Sequence, residues 1–349
     1  MAILLEKSWV SNLILNTARY ATGLKSAIRK KTFACMARFR EINHDQVRSE
    51  LRRSIKEIPE VRAMLWRTAQ EQAIKVPGGG AVIVDTTVVV KRHAQAIEGL
   101  ARHRVEQHSA KGIKLANFSW TDMQGNYLPV DLVIPKTSKS HELLPQAISL
   151  AQRLGASTVL ADAFFSTINA WQLLSTSGIY ATMRFSRNRV VTIAGFGRHQ
   201  LQHHPGLKFS RNQHIIIREV YWRDGISLCI IALKIRHRRK KWRTLYLATN
   251  APLSKALQYA QHYRHRWGIE SMFRSLKQYH GLQDCQARSL EMQRAHFFAT
   301  LLASHNKSTE KPDPAPKKRI LKKKVPIQRK ISKITTRRAR TQHMSYAAA

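Results

Sequence analysis

Apolar positions in the first 76 residues recur at helical spacing. Val47, Leu51, Ile55 and Ile58 fall on one face, with Arg48, Arg52, Arg53 and Lys56 off it. The pattern predicts a helical region over 1–76, whose basic face either contacts DNA or is simply solvated. Pro77, Gly78, Gly79 and Gly80 then interrupt it and read as a hinge. The next run, AVIVDTTVVV, is apolar and β-branched, which predicts a buried strand interrupted by Asp85. Ile113 to Trp120 and Tyr127 to Ile134 read as two strands around a polar hairpin loop at Thr121 to Asn126. A helix is expected from Ser140 to Leu154. The short strand Thr158 to Ala161 follows, running into Asp162, and another helix begins at Thr167.

Between Ile179 and Asn250 the period changes to two, with strands expected at His214 to Tyr221, Ile226 to Lys234 and Trp242 to Ala248. This stretch reads as a β-rich insertion over about 179–250. Helical spacing resumes at Pro252 and continues, with a break near Gly281, to about Ser304. Beyond that the chain holds too few apolar residues and too much charge to order itself, so 306–349 is expected to be a disordered basic tail.

Composition sharpens the picture. The 349 residues are 43% hydrophobic, sufficient for one large core or two modest ones. Sixty Lys and Arg against 21 Asp and Glu give a formal net charge of +39, which calls for a polyanionic partner, nucleic acid first. The tail holds 14 of the cations and 2 of the acids, leaving +27 on the first 305 residues, so the body itself is basic. A mean hydropathy of −0.36 and no long uncharged apolar run argue against a membrane span. Glu6 and Lys7 break the apolar start and argue against a signal peptide. Cys35, Cys229 and Cys285 are scattered, which makes neither a zinc pattern nor a disulfide framework and fits a reducing, cytoplasmic setting.

In so basic a chain, acids at the ends of apolar strands need a reason. Asp85 and Asp162 each follow such a run, where a buried carboxylate requires a cation or a hydrogen-bonding role as a cap. Near the C-terminal end, YRHRWGIESMFRSLK places Tyr263, Arg266, Glu270 and Lys277 at offsets that, at about 100° per helical residue, share a stripe roughly 60° wide. Ile269, Phe273 and Leu276 form an adjacent apolar stripe able to dock the helix on a sheet. A phenol, guanidinium, carboxylate and ammonium together suit phosphate recognition beside a cation-binding acid. Arg274, one turn after Glu270, is a further candidate phosphate contact.

These residues resemble the DDE transposases of bacterial insertion sequences, in particular the insertion sequence 4 family, whose Tyr-x2-Arg-x3-Glu-x6-Lys signature is reproduced at every spacing. The resemblance covers roughly Ala81 to Ser304. It implies an α/β, RNase H-like catalytic domain over 81–305 with a β-rich insertion between the second Asp and the Glu. Asp85, Asp162 and Glu270 would be the catalytic carboxylates, holding two Mg²⁺ or Mn²⁺ ions. Tyr263, Arg266, Arg274 and Lys277 would contact DNA. Trp242 corresponds to a tryptophan that stacks on an extruded base in similar proteins; its other reading is packing on its own hairpin.

The implied activity is metal-dependent cleavage and strand transfer at the ends of an insertion sequence. The implied partners are double-stranded transposon and target DNA, bound by a homodimer in the bacterial cytoplasm at the nucleoid. Two alternatives share parts of this pattern: a catalytically defective DNA-binding remnant, and another RNase H-like nuclease.

Overall fold

A computed structural model describes residues 13–27, 32–91, 94–105, 108–135, 142–236 and 242–305. The basic tail, the first residues of the chain and residues 237–241 lie outside the described residues.

The N-terminal region is helical, as its periodicity predicts: α1 (Leu15–Ser26), α2 (Phe33–Arg40), α3 (His44–Arg53) and α4 (Ile58–Ala73). Asn43 starts α3 with a reciprocal cap involving Gln46. The buried stripe is divided between two helices. Val47 and Leu51 are buried on α3, while Ile58 opens α4 after the chain turns at Ser54 to Glu57. The Glu57 carboxylate accepts from the backbone and side chains of Asn16 and Thr17, tying that turn to α1.

The central sheet begins with β1 (Ala81–Val90), β2 (Ala101–Val105), β3 (His108–Thr121) and β4 (Tyr127–Val133). It continues through α5 (Leu144–Leu154), β5 (Thr158–Ala161), α6 (Ile168–Ser177) and β6 (Tyr180–Arg184). Five strands lie in the order β4, β3, β1, β5, β6; β1, β3 and β4 form an antiparallel meander, and β5 and β6 run parallel to β1. Alternation along β1 distributes the core. Val82 and Val84 join Ile148 and Trp171 on one face, and Ala81 and Ile83 meet Leu65, Phe273 and Phe297 on the other.

The glycine cluster before β1 is not a hinge. Helices α1 to α4 share a core with the sheet, and all the described residues belong to one compact unit. Gly79 and Gly80 have φ of +68° and +74°. A Cβ at Gly79 would lie 2.2 Å from the Gly155 carbonyl oxygen, and one at Gly80 2.3 Å from that of Thr121. Glycine here permits close backbone packing, which the Trp120 indole reinforces by donating to the Gly79 oxygen at 2.7 Å.

The strands β7 (Val190–Ile193), β8 (Gly197–Gln200), β9 (Ile215–Tyr221), β10 (Ser227–Arg236) and β11 (Trp242–Thr249) extend the same sheet in the order β6, β11, β10, β9, β7, β8. The added strands begin later than the 179 boundary expected, because Tyr180–Arg184 is the fifth strand of the central sheet and pairs in parallel with β5. Hydropathy alone does not distinguish a core strand from its extension. After β11 come α7 (Leu253–His262), a tight 3₁₀ turn at Tyr263–Arg266, α8 (Trp267–Gln278) and α9 (Leu290–His305).

Candidate active site

The parallel ladder between β1 and β5 runs from Ala81 opposite Thr158 to Val84 opposite Ala161. Asp85 and Asp162 are the next residues on the two strands. Both have the parity of Ile83 and Leu160, whose side chains enter the core beneath α8. The expectation that Asp85 ends its strand is corrected: β1 continues to Val90 against β3, and it is the pairing with β5 that ends at Val84. Two carboxylates thus emerge side by side where the sheet opens. The Asp85 carboxylate accepts the Thr86 N–H at 2.7 Å, and that of Asp162 accepts the Phe164 N–H at 2.9 Å.

Helix α8 covers this opening. Ile269, Phe273 and Leu276 are buried, as their stripe predicts. Gly268 lets the helix approach β4, since a Cβ there would fall 1.9 Å from the Tyr127 ring. Glu270 is thereby brought to the same cleft, a space of about 640 Å³ lined also by Asp85, Asp162, Arg184, Arg274 and Lys277.

The neighbouring stripe residues are not the open phosphate-binding face that the helical wheel suggests. Arg266 is buried. It donates to Asp85 Oδ2 at 3.0 Å through Nη1 and to Glu270 Oε1 through Nη2, so its guanidinium is engaged by carboxylates. Tyr263 is also buried, with the Arg266 guanidinium carbon 5.7 Å from its ring centre. Burial pushes its phenol up to about 12. The wheel gives relative angles but not which sector docks; the 3₁₀ turn rotates these two residues inward.

Lys277 and Arg274 do reach the cleft. Arg274 is exposed, and the half-buried Lys277 donates to Thr87 Oγ1 at 2.6 Å. Burial lowers the Lys277 pKa. Trp242 does not reach it. It begins β11, five residues before Leu247, which pairs with Arg184 at the cleft rim; at strand rise that is roughly 17 Å away. Its half-exposed ring lies 5.5 Å from the ring of His214, with the Lys234 ammonium 5.5 Å from its centre. Arg184 and Thr87 went unnoticed in the sequence, since neither stands in a distinctive spacing; only the sheet register brings them in.

The electrostatics are those of crowded acids. Burial, and after it the charge of Asp162, pushes the Asp85 carboxyl up to about 6 despite Arg266; burial raises Asp162 as well. Burial opposes the charge on Arg266, but Tyr263, Asp85 and Glu270 outweigh it and raise its pKa. The donor set is all carboxylate oxygen, which fits a hard divalent cation and not zinc. The close three-carboxylate centre expected from the sequence is not formed: among the described residues no three His, Cys, Asp or Glu side chains stand near enough together to hold an ion. Arg266 bridges Asp85 and Glu270 instead.

A three-stranded meander followed by two parallel strands, with acids at the end of the parallel ladder, fits an RNase H-like fold. The chain belongs to the family described as Transposase DDE domain, whose profile matches residues 77–305. The protein is therefore a transposase by family, of a class that generally uses divalent metal ions on DNA substrates. No curated protein matches the chain. Among the described residues, no helix is long and apolar enough to cross a membrane.

Proposed function

We propose that this protein cleaves DNA phosphodiesters at the ends of an insertion sequence of the insertion sequence 4 type and joins the freed 3′ ends to target DNA. The observation that carries the reading is the common register of Asp85 and Asp162, one step beyond the last parallel pair, beneath the helix that bears Glu270. Burial and the neighbouring charge of Asp162 raise the proton affinity of Asp85, and burial raises that of Asp162, so the pair makes a site that favours added positive charge.

Asp85 and Asp162 would hold Mg²⁺ or Mn²⁺, with Glu270 completing the set once it is released from Arg266. Bound there, a pair of such ions supplies Lewis acidity and lowers the pKa of water or a 3′-hydroxyl. The chain's own residues do the positioning. Arg266 holds Glu270 over β1, Tyr263 walls off solvent behind it, and Thr87 steers the Lys277 ammonium toward the cleft. Lys277 and exposed Arg274 grip the phosphates next to the reacting one. The DNA is double-stranded, the working form a homodimer pairing two ends, and the setting the cytoplasm at the nucleoid.

The test is incubation of the purified protein with a duplex carrying the sequences that flank its own gene, with Mg²⁺ or with EDTA. Mg²⁺-dependent cleavage together with strand-transfer products is expected. Cleavage without strand transfer would favour another RNase H-like nuclease, and no cleavage a DNA-binding remnant.

A further inference from the structure

The acidic cleft continues into a second hollow of about 450 Å³ beside the β2–β3 hairpin, and the two share Thr86, Thr87 and Lys277. Arg102, Arg104 and Lys114 line this second hollow, and among the described residues no Asp or Glu does. Arg102 and Arg104 are exposed and alternate on β2, so both side chains leave the same face of the strand. Lys114 lies on β3 with its ammonium 4.2 Å from the Phe164 ring centre, two residues beyond Asp162. Burial lowers the pKa of both Lys114 and Lys277. Among the described residues, no carboxylate lies within 4.0 Å of Arg102, Arg104 or Lys277. A cation-lined trough therefore opens directly onto the cleft that holds Asp85, Asp162 and Glu270.

The geometry points to the β2–β3 hairpin as a phosphate track that carries one DNA strand into the cleft, with Arg102 and Arg104 gripping backbone phosphates beside the reacting one. A wall of clustered cations attracts a polyanion. Arginine forks suit phosphate oxygens, and the shared Thr86, Thr87 and Lys277 make the track continuous with the acids. The track lies outside the family signature, on a hairpin strand that the sequence pattern does not announce. It rests on the reading of the cleft as the site of DNA chemistry.

The test is the salt dependence of full-length protein binding to an arbitrary duplex in EDTA, followed by fluorescence anisotropy. Replacing Arg102→Gln and Arg104→Gln together should reduce the slope of log affinity against log salt by about 1.8, two contacts at about 0.9 each. The charge-preserving pair Arg102→Lys and Arg104→Lys should keep most of the slope, which separates lost charge from a damaged fold. A photo-crosslinker on Arg104→Cys should label nucleotides adjacent to the cleavage position. An unchanged slope in the Gln pair, no recovery with Lys, or labelling only far from that position overturns the track. The salt-dependence readouts do not require cleavage, so a wild-type protein that binds but does not cut would refute the proposed function and leave the track to be judged on its slope alone.

Discussion

Arg266 donates to Asp85 across 3.0 Å, joining a strand and a helical turn 181 residues apart inside the cleft. The contact serves two functions at once: it neutralises part of a crowded acidic site and it fixes the start of α8, on which Glu270 stands. A buried pair broken on one side leaves an uncompensated charge, at a cost of about 3–5 kcal/mol.

Arg266→Gln should therefore lower the melting temperature in EDTA, and adding Mn²⁺ should recover more stability in the variant than in wild type, because the ion takes over the neutralising role. Calorimetry with and without Mn²⁺ checks this. Equal Mn²⁺ responses in the two proteins would show that Arg266 is not a counter-ion of this site.

The Asp85 carboxyl, pushed up to about 6, gives a signed pH dependence. Between about pH 4 and 6 the folded chain holds more protons at this site than the unfolded chain, so its contribution to stability falls as pH rises and is level above the window. The full span is worth about 3 kcal/mol. Asp162 shifts the same way. His296 acts oppositely, since burial depresses it to about 3, and its contribution is lost as pH falls from about 6.5. Subtracting the Asp85→Asn profile from wild type isolates the acid. In EDTA the variant should gain on wild type from pH 4 to 7, and parallel denaturation profiles would contradict the assignment.

The same histidine fastens the N-terminal helices to the end of the domain. His296 Nε2 donates to the Gly281 carbonyl at 2.9 Å, and its Nδ1 accepts from the Tyr20 hydroxyl at 2.9 Å, an arrangement suited to the neutral ring. Tyr20→Phe leaves a buried acceptor unpaired and should cost about 1–3 kcal/mol in urea unfolding. A loss below a few tenths would mean that the contact contributes nothing.

Much of this architecture is written in local pattern. The helices around Val47 and Leu51, the AVIVDTTVVV strand and the apolar stripe Ile269, Phe273 and Leu276 all follow from periodicity, and so does the presence of a carboxylate on each element of the cleft. What the pattern lacks is long-range information. The alignment of Asp85 with Asp162 depends on a ladder between segments about 77 residues apart. The inward turn of Tyr263 and Arg266 depends on a 3₁₀ segment that a uniform helical wheel cannot contain. Strand β2, ARHRV, has too little apolar alternation to stand out, and Gly79 and Gly80 mark close packing as readily as a hinge. The distance of Trp242 from the cleft follows from strand length, which chain position does not reveal.

Lys277 is held by Thr87, so the two should act together. Lys277→Gln should slow single-turnover cleavage about 10- to 100-fold, roughly 1.4–2.7 kcal/mol of barrier, with a smaller loss of DNA affinity. Thr87→Val, which frees the ammonium without removing it, should slow cleavage less. A Thr87→Val effect larger than that of Lys277→Gln would contradict the steering role.

The central claim is that Asp85, Asp162 and Glu270 act as one set on DNA. Its most direct test measures Mg²⁺-dependent cleavage of a duplex bearing the gene's flanking sequences, and affinity for that duplex, in Asp85→Asn, Asp162→Asn and Glu270→Gln side by side. Each variant should lose at least about a thousandfold in cleavage, ~4 kcal/mol of barrier, while binding the duplex at least as well as wild type, because the positive field that attracts DNA comes from other residues. A folded variant of any of the three that cuts at the wild-type rate would remove that residue from the site and contradict the account.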